Sequence, residues 1–167
     1  TIGDSQAGGF FPAYLKANGY DAVVFKGRAA NPVYLFVNGD KVELRPADHL
    51  WGKVTGDAER LIKEELGDEG LEIAQIGPGG ENLVRYAAIM NMCNRANGRN
   101  GTGAVMGSKN LKALVVKKNK IAVKAFDKEG LTTLTKNVKE RIRNNESIDG
   151  LGEFGTDGDL DGFNELG

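Results

Sequence analysis

The chain reads as an α+β fold, a β-rich region followed by the start of a helical one. Three observations carry that reading. Short runs rich in β-branched and aromatic residues recur between Gly, Pro and Asn. One stretch among them, residues 56–66, shifts to helical spacing. Beyond Phe126 the pattern changes to a long charged helix over residues 128–144, with Leu131, Leu134, Val138 and Ile142 at helical intervals.

Taken in order, residues 20–25 (YDAVVF) and 33–37 (VYLFV) read as strands. Asn38-Gly39-Asp40 signals a turn into a short strand over 41–45 (KVELR). Residues 47–52 resemble a connecting turn. Within 56–66, Ala58, Leu61, Ile62 and Leu66 share one helical face, and Gly67 is the stop. Residues 71–77 read as a strand, and 83–90 read equally well as strand or helix. Residues 113–117 (ALVVK) and 120–123 complete the β-rich part. The Gly- and acid-rich stretch 150–167 is expected to fray in isolation.

Chemistry concentrates in two bare segments. Between residues 95 and 112 lie four glycines, two arginines and two lysines, with few bulky apolar groups. Glycine lets a backbone come close to a ligand. Arginine supplies planar, bidentate donors for phosphate or carboxylate oxygens. The combination reads as a cradle for an anionic, phosphorylated ligand, or with equal weight as a surface loop. Residues 1–11 (TIGDSQAGGFF) have the same character, with an aromatic pair to anchor them. The two segments are placed to face one another across one extended ligand. Neither is a nucleotide fingerprint: Gly107-Ser108-Lys109 lacks the P-loop order, and 98–103 (GRNGTG) fails the dinucleotide pattern.

The run 95–113 (RANGRNGTGAVMGSKNLKA) closely resembles a signature of the aldehyde:ferredoxin oxidoreductases. Further blocks resemble the same family in its order and spacing: Gly8-Gly9-Phe10-Phe11, residues 16–22, Pro32-Val33-Tyr34, residues 47–53 and residues 76–84. The resemblance covers nearly the whole chain and thins after about Val116. Members are tungsten-dependent, sometimes molybdenum-dependent, and carry a bis-pterin cofactor and a [4Fe–4S] cluster.

The resemblance implies a β-rich, pterin-binding N-terminal domain over residues 1–122 and the start of a helical second domain over 123–167. It also implies an internal piece of a longer protein. Magnesium would bridge the two pterin phosphates and accept backbone carbonyl oxygens from Gln6 and Ala96. Gly8, Arg95, Gly98 and Arg99 match positions that contact the pterin, so the implied cofactor-binding set is Gln6, Gly8, Arg95, Ala96, Gly98 and Arg99. Gln6 stands where many relatives have Asn, a change that a backbone role tolerates. Asn97 and Asn100 replace the usual small residues. The implied parent reaction converts an aldehyde to a carboxylic acid, or the reverse, with electrons passing through the cluster to ferredoxin or a similar carrier. No catalytic residue is assigned within this chain, and the cluster ligands would lie outside it. A homo-oligomeric parent is compatible with the resemblance. Two alternatives stand beside this reading: a binding module for a phosphorylated small molecule, and a non-catalytic relic of the fold.

Composition sets the outer bounds. The 167 residues, 40% apolar and 27% charged, suit one ordinary domain with a core. A net charge of −1 gives no electrostatic case for nucleic acid or an anionic membrane. One cysteine excludes an internal disulfide framework, and a cytoplasmic setting is expected. His49 and Trp51 read as structural, Cys93 as a packed thiol. Asp4, Asp48 and Glu81 have no evident partner for acid–base work. Lys109 and Lys112 read either as phosphate contacts or as a solvated strand entry.

Overall fold

The computed structural model describes residues 2–119 and 124–166. These divide between residues 123 and 124 into two compact units. The strand expected over 120–123 lies outside the described residues.

The first unit begins with an irregular segment over residues 2–10 that runs into helix α1 (Phe11–Ala17). Pro12 suits the first turn of α1, where a missing N–H costs nothing. Asn18, 4% exposed, fixes the other end of the helix. Its Nδ2 donates to the carbonyls of Tyr14 (2.7 Å) and Lys117 (2.8 Å), and its Oδ1 accepts from the Gly39 amide (2.6 Å). One side chain therefore ties α1 to a hairpin turn and to the end of a strand.

Strands β1 (Val33–Asn38) and β2 (Lys41–Pro46) form that hairpin, paired from Val33↔Pro46 to Asn38↔Lys41. A 3₁₀ turn (Asp48–Leu50) leads to α2 (Thr55–Leu66), which ends at Gly67 in the left-handed conformation, φ 61°. Glycine is the residue that takes this cap without a Cβ penalty. Then follow β3 (Glu72–Gln75), α3 (Pro78–Glu81), β4 (Ile89–Asn91), β5 (Arg95–Asn97), α4 (Thr102–Ser108) and β6 (Leu111–Val116). The six strands form one mixed sheet in the order β2-β1-β6-β3-β4-β5, with β1 and β6 parallel and the other pairs antiparallel.

Both faces of the sheet are covered, so the middle strands carry apolar side chains on both sides, apart from Lys112 in β6 and Glu72 and Gln75 in β3. On one face, Tyr34, Phe36, Ile73, Ala113 and Val115 pack with Ile62, and Leu61 and Leu66 of α2 join them. On the other, Leu35, Val37 and Val116 meet Phe11, Tyr14 and Leu15 of α1. The expected face of α2 is the face it buries.

Several elements differ from expectation. Residues 20–25 are not a strand: they pair with none of the six, although Tyr20, Val23 and Phe25 pack on the sheet. Their composition satisfies packing, but a strand also needs a ladder partner. Residues 83–88 are turn and irregular backbone, and only Ile89 and Met90 enter β4. The bare run after residue 95 holds a strand and a helix, β5 and α4.

The second unit contains α5 (Lys128–Arg143), α6 (Glu146–Phe154), a 3₁₀ turn (Gly155–Asp159) and α7 (Leu160–Leu166). Asp127 caps α5 by accepting from the Gly130 amide (2.8 Å), and Asn145 caps α6 by accepting from Ile148 (3.2 Å). The stretch expected to fray is helical. Leu131, Leu134, Val138 and Ile142 are exposed along α5.

Candidate functional site

The two bare segments meet. Asn97 Nδ2 donates to the Ser5 carbonyl (2.8 Å), the Arg99 amide donates to Ser5 Oγ (3.0 Å), and Asn100 Nδ2 donates to the Asp4 carbonyl (2.5 Å). Asn97 and Asn100 therefore supply two of the three ties. Residues separated by more than ninety positions in sequence thus share one rim. Thr102 Oγ1 donates to the Asn97 carbonyl (3.2 Å) and braces the second segment against the start of α4.

Each segment is held by the fold behind it. The first is continuous with α1, which Asn18 pins. The second is built on β5, an edge strand paired with β4 alone. The turn joining them places Met92 and Cys93 at φ 52° and 54°, left-handed values that cost a non-glycine residue about 1 kcal/mol or more. Arg95 follows two residues later.

The glycines divide into two groups. A Cβ on Gly101 would stand 2.0 Å from the Arg85 carbonyl oxygen, and one on Gly103 would stand 2.5 Å from that of Ala88. Gly107 approaches Gly80 equally closely, so these three positions serve packing of α4 against residues 80–88. Packing within the fold therefore accounts for glycine at these three positions. Gly98 differs: a Cβ there would meet nothing within 4 Å. A Cβ on Gly8 would meet only Arg95 Cδ, at 3.9 Å.

Gln6, Gly8, Arg95, Ala96, Gly98 and Arg99 are all exposed, and all lie on the two converging segments. No protein carboxylate or carbonyl within bonding reach of the Arg95 or Arg99 guanidinium is found among the described residues. Beneath the segments is a cavity of about 260 Å³, lined by Ser5, Ala7, Phe11, Asn91, Asn97 and Thr102 among others. Residues 5, 7 and 97 line it, while their neighbours 6, 8, 96 and 98 are the exposed ones, an alternation proper to extended backbone. Asn91 is 4% exposed, and its Oδ1 has no protein partner among the described residues.

Other singled-out residues fall elsewhere. Lys112 is fully buried and ion-paired with Glu81, which removes it as a phosphate contact and gives Glu81 a partner the sequence did not disclose. Its signal was a lone lysine inside the apolar run LKALVV. Lys109 Nζ donates to the Gly27 carbonyl (3.1 Å). Cys93 is exposed rather than packed; its thiol donates to Glu59 Oε2 (3.2 Å). Partial burial and the Glu59 carboxylate push the thiol up to about 11. His49 Nε2 lies 3.1 Å from Glu65 Oε2 and ties its turn to α2, while Trp51 is half-buried. Among the described residues no group of three or more His, Cys, Asp or Glu could hold a metal, and no helix is long and apolar enough to cross a membrane.

Comparison with known proteins bears on this arrangement. Residues 1–118 match the family model described as aldehyde ferredoxin oxidoreductase, N-terminal domain. The tungsten-containing aldehyde ferredoxin oxidoreductase of Pyrococcus horikoshii is 46% identical over 93% of this chain and 26% of its own length. The WOR-like subunit of an aliphatic sulfonate oxidoreductase from Pyrococcus furiosus is 41% identical over 72% of this chain and 21% of its own. Among solved structures, the active-site complex BamBC of benzoyl coenzyme A reductase, bound to 1,5-dienoyl-CoA, matches with a TM-score of 0.81 and 41% identity. That match covers 86% of this chain and 22% of the other. The chain spans about a quarter of the length of the curated relatives it matches.

Proposed function

The chain belongs to the aldehyde ferredoxin oxidoreductase family, and from that premise we propose that it supplies the cofactor-holding part of an oxidoreductase. The parent protein converts aldehydes to carboxylic acids, or the reverse, at a tungsten or molybdenum centre carried by two pterins. Electrons leave through a [4Fe–4S] cluster to ferredoxin. The observation that carries the reading is the joined rim, where Ser5 binds Asn97 and Arg99 and leaves two guanidiniums and Gly98 facing outward.

The residues present fit a phosphate-bearing, flat cofactor. Gly98 leaves open space where any other residue would place a side chain. Arg95 and Arg99 offer charge-assisted donors to phosphate oxygens. The backbone carbonyls of Gln6 and Ala96 suit magnesium, a hard cation that takes oxygen ligands and offsets repulsion between two phosphates. When bound, the metal–pterin group supplies the two-electron chemistry; the protein supplies placement and electrostatics. Arg95 and Arg99 bind and orient, and the Ser5–Asn97 and Asp4–Asn100 ties keep the two segments at a fixed separation.

Relatives that share this piece at 41–46% identity carry names for aldehyde, sulfonate and benzoyl-CoA substrates. What they share here is accordingly cofactor placement, and substrate choice belongs to the remainder of the parent. The test is Arg95→Ala with Arg99→Ala in the full-length parent. Tungsten and pterin content should fall at least tenfold. Unchanged content would remove both arginines from the cofactor site and favour a binding module or a relic.

A further inference from the structure

Glu81 and Lys112 bracket the whole second segment, and their pairing closes it at the base. Lys112 Nζ makes an ion pair with Glu81 Oε1 and donates to the Lys53 carbonyl (2.9 Å). Glu81 Oε2 accepts from the Gly52 amide (2.7 Å). The lysine side chain is 0% exposed and that of the glutamate 3%. Such a pair is costly to bury and costlier to break, because one removed partner strands the other's charge.

The sheet is built to make this contact. Between β1 and β6 the register slips, Val33 facing Leu111 and Tyr34 facing Ala113, so Lys112 is the extra residue. A bulge of this kind re-aims a side chain out of the regular alternation. Lys112 thereby leaves the apolar strand LKALVV and reaches the end of α3. From there contact passes to α4: a Cβ on Gly80 would stand 2.9 Å from the Gly103 carbonyl oxygen, and one on Gly107 only 1.9 Å from that of Gly80. Helix α4 continues directly from the loop that holds Gly98 and Arg99.

We propose that the Glu81–Lys112 pair is a positioning clamp for the cofactor rim. It holds both ends of the excursion from α3 to β6 in one place, so that α4 and the loop 98–101 have a fixed base. Its relevance to cofactor rests on the functional reading above, but the clamp itself is a property of the loop. Burial lowers the Lys112 pKa despite its partner, in keeping with a cation that depends on Glu81.

The test uses the full-length parent and amide hydrogen exchange. Glu81→Gln keeps the shape and removes the charge; Ile62→Ala, in the core cluster between sheet and α2, is the control for general destabilisation. Expected is at least a tenfold loss of protection at residues 95–101 relative to β1 in Glu81→Gln, and no such selective loss in Ile62→Ala. Should Glu81→Gln fail to accumulate folded, the pair Glu81→Leu with Lys112→Met decides. It strands no charge and so recovers melting temperature relative to Glu81→Gln, yet leaves 95–101 selectively unprotected, because an apolar pair has no directed bond between the end of α3 and β6. Protection that falls uniformly, or stays at wild-type level in 95–101, overturns the clamp. Absence of pterin from the wild-type parent would defeat the functional reading alone, since the exchange result does not depend on cofactor.

Discussion

The backbones of Gly107 and Gly80 are in direct contact: a Cβ on Gly107 would stand 1.9 Å from the Gly80 carbonyl oxygen. Neither partner is the movable end of a side chain, so the approach of α4 to α3 requires glycine.

Gly107→Ala is therefore expected to destabilise the parent by about 3 kcal/mol or more, the upper end of overpacking costs. Gly98→Ala has open space and should stay within about 0.5 kcal/mol of wild type. Thermal unfolding of the two variants checks the contrast. Equal losses would mean that the sorting of these glycines is wrong.

The tie between the two segments is expected to be separable from the core. Asn97→Ala removes the donor to the Ser5 carbonyl and should cost about 1 kcal/mol. Amide exchange at residues 3–9 should rise while that of β1 and β6 holds. A rise spread over the whole sheet would assign Asn97 to the core instead.

Much of this fold is legible in the sequence. Helix α2 shows itself through Ala58, Leu61, Ile62 and Leu66 with Gly67 behind them, and β1 through an unbroken apolar run. The rest depends on long-range partners. Strand β5 is Arg-Ala-Asn, with no strand preference of its own, and exists because β4 pairs with it. Helix α4 is glycine-rich and would be a poor helix in isolation; its glycines pay off only against Gly80 and Ala88. Residues 20–25 show the reverse, strand composition without a ladder. The rim itself was legible as two bare segments, but their joining through Ser5 and Asn97 spans the chain, and so does the bond from Lys112 to Glu81.

The alkaline limb of stability should report Tyr34. Its phenol is fully buried, donates to Glu65 Oε1 (2.7 Å), and is raised to about 12, chiefly by burial and then by Glu65. A raised acid holds its proton more tightly when folded. Its contribution is complete below the ordinary value near pH 10 and is lost as pH climbs toward 12. Tyr34→Phe should be less stable at pH 8 and show a shallower loss of melting temperature above pH 10. An unchanged alkaline slope would contradict the assignment.

Cys93 should alkylate slowly despite its exposure. With the thiol raised to about 11, little thiolate is present at pH 8. Native protein should react with iodoacetamide at least about tenfold more slowly at this residue than denatured protein. Burial is the larger cause and remains in Glu59→Gln, which should therefore recover only part of the difference. Mass spectrometry of the peptide containing Cys93 measures these rates, and a Glu59→Gln rate equal to that of the native protein would leave burial as the sole cause.

The most direct test of the cofactor-holding role is metal and pterin analysis of the full-length parent, purified without air after growth with tungstate. The account predicts tungsten or molybdenum with about two pterins per chain and about four irons, as one cubane cluster requires. A folded parent free of metal and pterin would contradict it.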